Sequence, residues 1–138
     1  MEKFILENSI EVFCVPAKSF PDGVVKAHQI LHSYVTSDNN RRFFGISNPD
    51  KTGKIQYKAA EEELIEGELS KHNLERFTIP KGTYVYLTVK NFRKNVFEIG
   101  ETFRKVFTTP DIDPKGFCLE WYFNDTDCRC MVKLIDNK

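Results

Sequence analysis

One order of sequence patterns occurs twice in this chain: an extended apolar run, a stretch of helical periodicity, then two more extended runs. In the first copy residues 10–16, rich in Val, Phe and Ile, read as a strand broken by Phe20-Pro21-Asp22-Gly23. From Val24 the apolar positions Ala27, His28, Leu31, Tyr34 and Val35 recur at threes and fours, which predicts a helix ending near Thr36, ahead of turn residues at 37–40. Strands follow at 43–47 and 54–60, with Ile55 and Tyr57 on one face. Residues 61–72 carry Glu61, Glu62, Glu63, Glu66 and Glu68 and form an irregular connector or short helix. The second copy has strands at 74–79 and 83–89 around a Pro80-Lys81-Gly82 turn, with Thr83, Val85, Leu87 and Val89 on one face and Tyr84, Tyr86 and Thr88 on the other. Val96, Ile99, Gly100, Phe103, Val106 and Phe107 make a helical stripe that stops at Pro110, and residues 117–123 and 129–135 form a closing hairpin. Two β-α-β-β units, about 8–62 and 74–136 of a single 1–138 domain, predict an α+β fold. The expectation is an antiparallel sheet covered by two helices, pseudo-twofold symmetric, with a ligand cleft at the axis.

Composition narrows the function classes. Twenty Lys and Arg balance twenty Asp and Glu, so no net field draws the chain to phosphate backbones, and no direct nucleic-acid binding is expected. The pairs Arg41-Arg42 and Arg93-Lys94 read as solvated surface. The N-terminal apolar stretch is cut by Glu7 and Glu11 and is too short and charged for a signal peptide or membrane span. Cys14, Cys118, Cys128 and Cys130 suit a reducing, cytoplasmic setting. In Cys128-Arg129-Cys130 both thiols point to one face of a strand without the turn that metal and redox pairs use, so they read as structural. His28 and His32 have metal-sharing spacing, but Gln29 stands where a zinc-protease helix has glutamate; a packed and a solvated histidine is expected, and His72 is expected to be exposed. No phosphate loop, nucleophile elbow or cofactor motif appears, and neither a metal nor a cofactor is expected.

The candidate binding residues lie on strands. Glu120 and Tyr122 share a face opposite Leu119, Trp121 and Phe123. A carboxylate buried among large apolar groups takes a proton or waits for a cation; the alternative is that Leu119, Trp121 and Phe123 are core and Glu120 faces water. Tyr57, Tyr84 and Tyr122 can stack on a flat cation or simply pack across strands. Trp121 reads as core unless a curved sheet turns it toward the cleft.

Three segments, in order, carry a likeness to a known family: Gly45-Ile46-Ser47-Asn48-Pro49 running into Ile55-Gln56-Tyr57, then Ile79-Pro80-Lys81-Gly82-Thr83-Tyr84, then Leu119-Glu120-Trp121-Tyr122. The chain resembles the gyrase-inhibitor-like (GyrI-like) small-molecule-binding domain, related to the effector-binding domains of AraC-type regulators and to the SOUL-like superfamily. The resemblance implies two tandem strand-helix-strand-strand units and a cleft for varied, often cationic or aromatic, effector or drug-like ligands. A glutamate reaches into that cleft, and Glu120 holds its place here. The expected protein is a stand-alone multidrug-type binder, monomer or homodimer, with no DNA-binding domain on the chain. The alternatives are a hydrolase of reactive small molecules using Glu120, and a protein-interaction module presenting the Glu61-Glu62-Glu63 run to a partner. Where the family often has Gly-Pro-Tyr ahead of each helix, this chain has Ser19-Phe20-Pro21 and Asn91-Phe92-Arg93.

Overall fold

Alternating apolar residues make the strands, and a stripe at helical spacing makes each of two helices. The computed structural model describes residues 1–36 and 40–136. Its elements are β1 (Glu2–Leu6), β2 (Ile10–Pro16), α1 (Val24–His32), β3 (Phe43–Pro49), β4 (Ile55–Glu61), a 3-10 turn (Ser70–His72), β5 (Glu75–Ile79), β6 (Gly82–Val89), α2 (Val96–Val106), β7 (Cys118–Trp121) and β8 (Cys128–Lys133). The strand pairings described below are all antiparallel, which gives the α+β fold that the repeat predicts. The turn expected at 37–40 falls mostly on residues 37–39, outside the described residues.

The chain divides into two compact units, residues 10–79 and residues 1–9 with 80–136. In the 10–79 unit β4 lies between β3 and β2, and β5 adds to the other side of β2, from Ile10 opposite Ile79 to Cys14 opposite Glu75. Here α1 packs on β2 and β4, where Ala27 and Leu31 join Phe13, Ala59 and Leu69 in a core flanked by Val15, Tyr34, Val35 and Leu74. The helix stops at His32, short of Thr36, because the backbone tightens: Tyr34 N–H reaches the Leu31 carbonyl and Val35 N–H the His32 carbonyl, a three-residue spacing that keeps Tyr34 and Val35 on the core side.

The other unit repeats the strand order with different segments. β8 lies between β6 and β7, and β1 adds to β6, from Glu2 opposite Tyr86 to Leu6 opposite Gly82. The edge strand of each unit thus comes from the chain just ahead of the other repeat. Residues 74–79, expected at the head of the second copy, pair instead with β2, and the N-terminal apolar stretch supplies β1. Tight hairpin turns need positive φ in their first central residue, and proline is fixed near −65°, so Pro80-Lys81 cannot fold β5 back onto β6.

In α2 the expected stripe is only partly buried. Phe103 and Val106 are buried and Ile99 half-buried, while Val96, Gly100 and Phe107 lie exposed on the flank of that stripe. Arg93 and Lys94 are exposed as expected. Arg41 departs from its surface reading. It is buried, and its guanidinium donates to Glu68 Oε1 at 2.7 Å and to the Glu62 carbonyl at 2.9 Å. The acids of the connector are tied down likewise: Glu61 is buried, Glu62 pairs with Arg42, and Glu63 Oε1 accepts the N–H groups of Leu69 and Ser70 at 2.9 and 2.8 Å. Of the run, Glu66 stays exposed.

Candidate functional site

Glu120 sits on β7 directly opposite Cys130 of β8, and the register puts it on the sheet face of Cys128, Cys130 and Val132. The residues of that face are buried: the two thiols fully, and Glu120 itself is 7% exposed. Tyr122, two residues on, shares the face and donates its hydroxyl hydrogen to Glu120 Oε1 at 2.8 Å. The Tyr122 ring meets Phe92 with centroids 5.2 Å apart. Turn chemistry holds Phe92 there. Asn124 Oδ1 accepts the N–H groups of Thr126 and Asp127, the Thr126 carbonyl accepts the Phe92 N–H at 2.9 Å, and Asp127 accepts the Asn91 N–H at 3.2 Å. Burial pushes the Glu120 carboxyl up to about 7, and the Tyr122 hydrogen bond pulls only part of the way back. The group therefore sits at the balance between a neutral acid and a carboxylate near neutral pH. It can hold a proton or exchange it for a cation.

Trp121 and Tyr84 lie on the opposite face of the same sheet. Tyr84 is buried and its hydroxyl donates to the Pro80 carbonyl at 2.6 Å; burial, with the charges of Asp136 and Asp113, raises its pKa. Trp121 is half-buried and meets Phe4 edge-on at 5.5 Å and Phe123 at 6.4 Å, with the Arg129 guanidinium 5.2 Å from its ring centre. Among the expected binding residues the fold brings Glu120 and Tyr122 together and sends Trp121 and Tyr84 to the other side.

Tyr57 belongs to the 10–79 unit. It is buried on the face covered by α1, with its hydroxyl 2.7 Å from His28 Nε2 and its ring stacked on Phe20 at 5.9 Å. One turn along α1, His32 is half-exposed and places Nδ1 2.6 Å from Oε1 of Glu61. The two histidines are thus a packed one and a half-solvated one, and His72 is exposed, its ring stacked on Tyr34 at 4.0 Å. Among the described residues no three His, Cys, Asp or Glu side chains converge as a metal site would. No described helix is long and apolar enough to cross a membrane.

Sequence reasoning missed Phe92, Glu61 and Arg129. Phe92 and Arg129 gain their places from strand register and loop anchoring; Glu61 was legible only as one acid in a charged run.

No family model matches the sequence, and no curated protein matches it. Solved structures do share its fold. An integron cassette protein from the mobile metagenome of Vibrio cholerae superposes with a TM-score of 0.71 at 14% identity, over 97% of this chain and 95% of its own. A protein solved bound to tetraphenylphosphonium superposes with a TM-score of 0.58 at 12% identity, over 96% of this chain and 94% of its own. A hydrolase from Listeria innocua gives 0.51 at 11% identity, over 97% and 91%. At these identities the likeness is one of fold.

Proposed function

We propose that this chain is a small-molecule-binding protein whose ligand brings a positive or polarised group to Glu120 and a flat apolar body to the Tyr122 and Phe92 rings. The observation that carries the reading is the buried Glu120 carboxyl, which among the described residues has one hydrogen bond, from the Tyr122 hydroxyl, and a pKa near 7. A cation reaching it replaces the solvation that burial removed, and aromatic rings attract the same cation through their faces. The resemblance to GyrI-like effector-binding domains supports this reading, as does a fold neighbour bound to an organic cation. In this proposal the protein is an effector or drug-like ligand binder of the kind used by transcription regulators.

The test is thermal unfolding against tetraphenylphosphonium, its isosteric anion tetraphenylborate and a neutral analogue, on wild type and Glu120→Gln. A ligand at about one hundred times its Kd adds about 2.7 kcal/mol of stability. Stabilisation by the cation, absent with the anion and lost in Glu120→Gln, is the expected result. Equal responses in both proteins would remove Glu120 from the site.

A second reading rests on the same acid. A carboxyl with a pKa near 7 is suited to take a proton from water, so a hydrolase of a reactive electrophile is the alternative. It requires consumption of substrate that Glu120→Gln abolishes while binding persists.

A further inference from the structure

On the face opposite Glu120 a single cation is enclosed by rings. The Arg129 guanidinium carbon lies 4.5 Å from the ring centre of Phe123, 4.9 Å from Tyr86, 5.2 Å from Trp121 and 5.9 Å from Phe4. Strand register builds the cage: Trp121 is directly opposite Arg129 across β7 and β8, while Tyr86 on β6 and Phe4 on β1 project to the same side. All five side chains are half-buried.

Among the described residues the charge has no counter-ion. None of the described ion pairs includes Arg129, and its Nε is buried with no acceptor. Arg41 also has a buried Nε with no acceptor, but its two terminal nitrogens reach a carbonyl and a carboxylate, whereas none of the described ion pairs supplies Arg129 with a carboxylate. Aromatic faces offset part of the charge of Arg129 but offer its in-plane N–H donors no lone pair of ordinary strength. A buried donor left unmet is costly, so a cage of this kind is incomplete without an acceptor.

We propose that Arg129 and its rings form a second ligand site, selective for an aromatic carboxylate. Nε and one terminal nitrogen present the two parallel N–H groups that a carboxylate accepts, and the rings flank the flat body of the ligand. One unit would then carry a cation-seeking acid on one sheet face and an anion-seeking base on the other.

Trp121 is the sole tryptophan of the chain, so its fluorescence reports this face directly. The experiment titrates the full chain with benzoate, and with acetate, inorganic phosphate and benzylammonium for comparison. Benzoate should give a saturable change, with acetate and phosphate at least about tenfold weaker and benzylammonium silent. Arg129→Lys keeps a charge but loses the paired N–H edge, and it should weaken benzoate about tenfold, the weight of a charge-assisted hydrogen bond. Glu120→Gln should leave the titration unchanged, which separates this site from the one proposed above. The Arg129 Nε–H resonance of the wild-type protein, shifting on benzoate addition, gives a readout that needs no variant. Absence of saturation with benzoate, an Arg129→Lys titration equal to wild type, or phosphate binding as tightly as benzoate would each overturn the assignment.

Discussion

The Tyr122 hydroxyl donates to Glu120 at 2.8 Å, and among the described residues no second hydrogen bond reaches that carboxyl group. One neutral donor is too little to hold a buried carboxylate ionised, and so the group titrates near 7 and not at its ordinary 4.5.

The sign of the pH dependence follows. Between about 4.5 and about 7 the folded state holds a proton on Glu120 that the unfolded chain releases. This contribution to stability is complete below the lower value and lost as pH rises through the upper one. At about 1.4 kcal/mol per pKa unit, the loss is at most about 3 kcal/mol. Glu120→Gln is uncharged throughout and should keep the stability that wild type loses. Urea unfolding of both proteins at about pH 5 and about pH 7.5 measures the difference, from which the histidines and other acids cancel. Parallel pH curves for the two proteins would mean that Glu120 is already compensated.

The Arg41–Glu68 pair predicts a large effect far from Glu120 in sequence. Both side chains are less than a tenth exposed. Burial works to raise the Glu68 pKa, yet the Arg41 hydrogen bond and the Ile65 and Leu64 N–H groups together hold it below its usual range. Arg41→Ala strands the carboxylate and should destabilise the fold by about 3 kcal/mol. Glu68→Gln keeps an acceptor for Arg41 but loses the one for the Leu64 and Ile65 N–H groups; with no charge left stranded it should cost less than Arg41→Ala in the same urea measurement. A loss within about 0.5 kcal/mol for Arg41→Ala would assign the arginine to the surface after all.

The thiols give a third test. Cys14, Cys128 and Cys130 are buried and Cys118 is partly exposed. Burial, with the Glu75 charge, pushes Cys14 up to about 12. Hydrogen bonding to Cys130, then burial, raises Cys128 as well. Reaction needs the thiolate, so at about pH 8 the native protein should consume no more than one equivalent of a disulfide reagent, at Cys118, and all four in urea. Rapid modification of three or more thiols would include Cys128 or Cys130 and show that their face opens in solution.

These residues also mark where sequence reading succeeds and fails. Alternation assigned Glu120 and Tyr122 to one face and Trp121 to the other, and the structure agrees, because side-chain direction in a strand is local geometry. Burial of Glu120 was not legible. An acid on a strand has the same neighbours in sequence whether water or protein lies above it, and the Phe92 ring beside its Tyr122 partner is held by a loop anchor between Asn91 and Asp127 that sequence does not reveal. The exchange of β1 and β5 escaped because alternation fixes a strand's face without naming its partner. Arg41 was misread for a related reason: its acceptor, Glu68, lies 27 residues away.

Gly82 carries the last prediction. It opens β6 with φ +143°, a region that residues with a Cβ avoid, and an added Cβ would stand 2.8 Å from Lys133 Cε. Lys133 has little freedom to move aside: its Nζ donates to Asp136 at 2.9 Å and to the Leu134 carbonyl at 3.2 Å, with Asp113 at 3.9 Å. Gly53 is the matched control, since its φ is +86° but nothing lies within 4 Å of the added atom. Backbone strain alone costs about 1–3 kcal/mol at either position. Gly82→Ala should therefore lower the Tm more than Gly53→Ala in parallel calorimetric scans, and the excess reports the displacement of Lys133. Equal losses would mean that the lysine swings clear, and that its contacts with Asp113 and Asp136 do not fix it against β6.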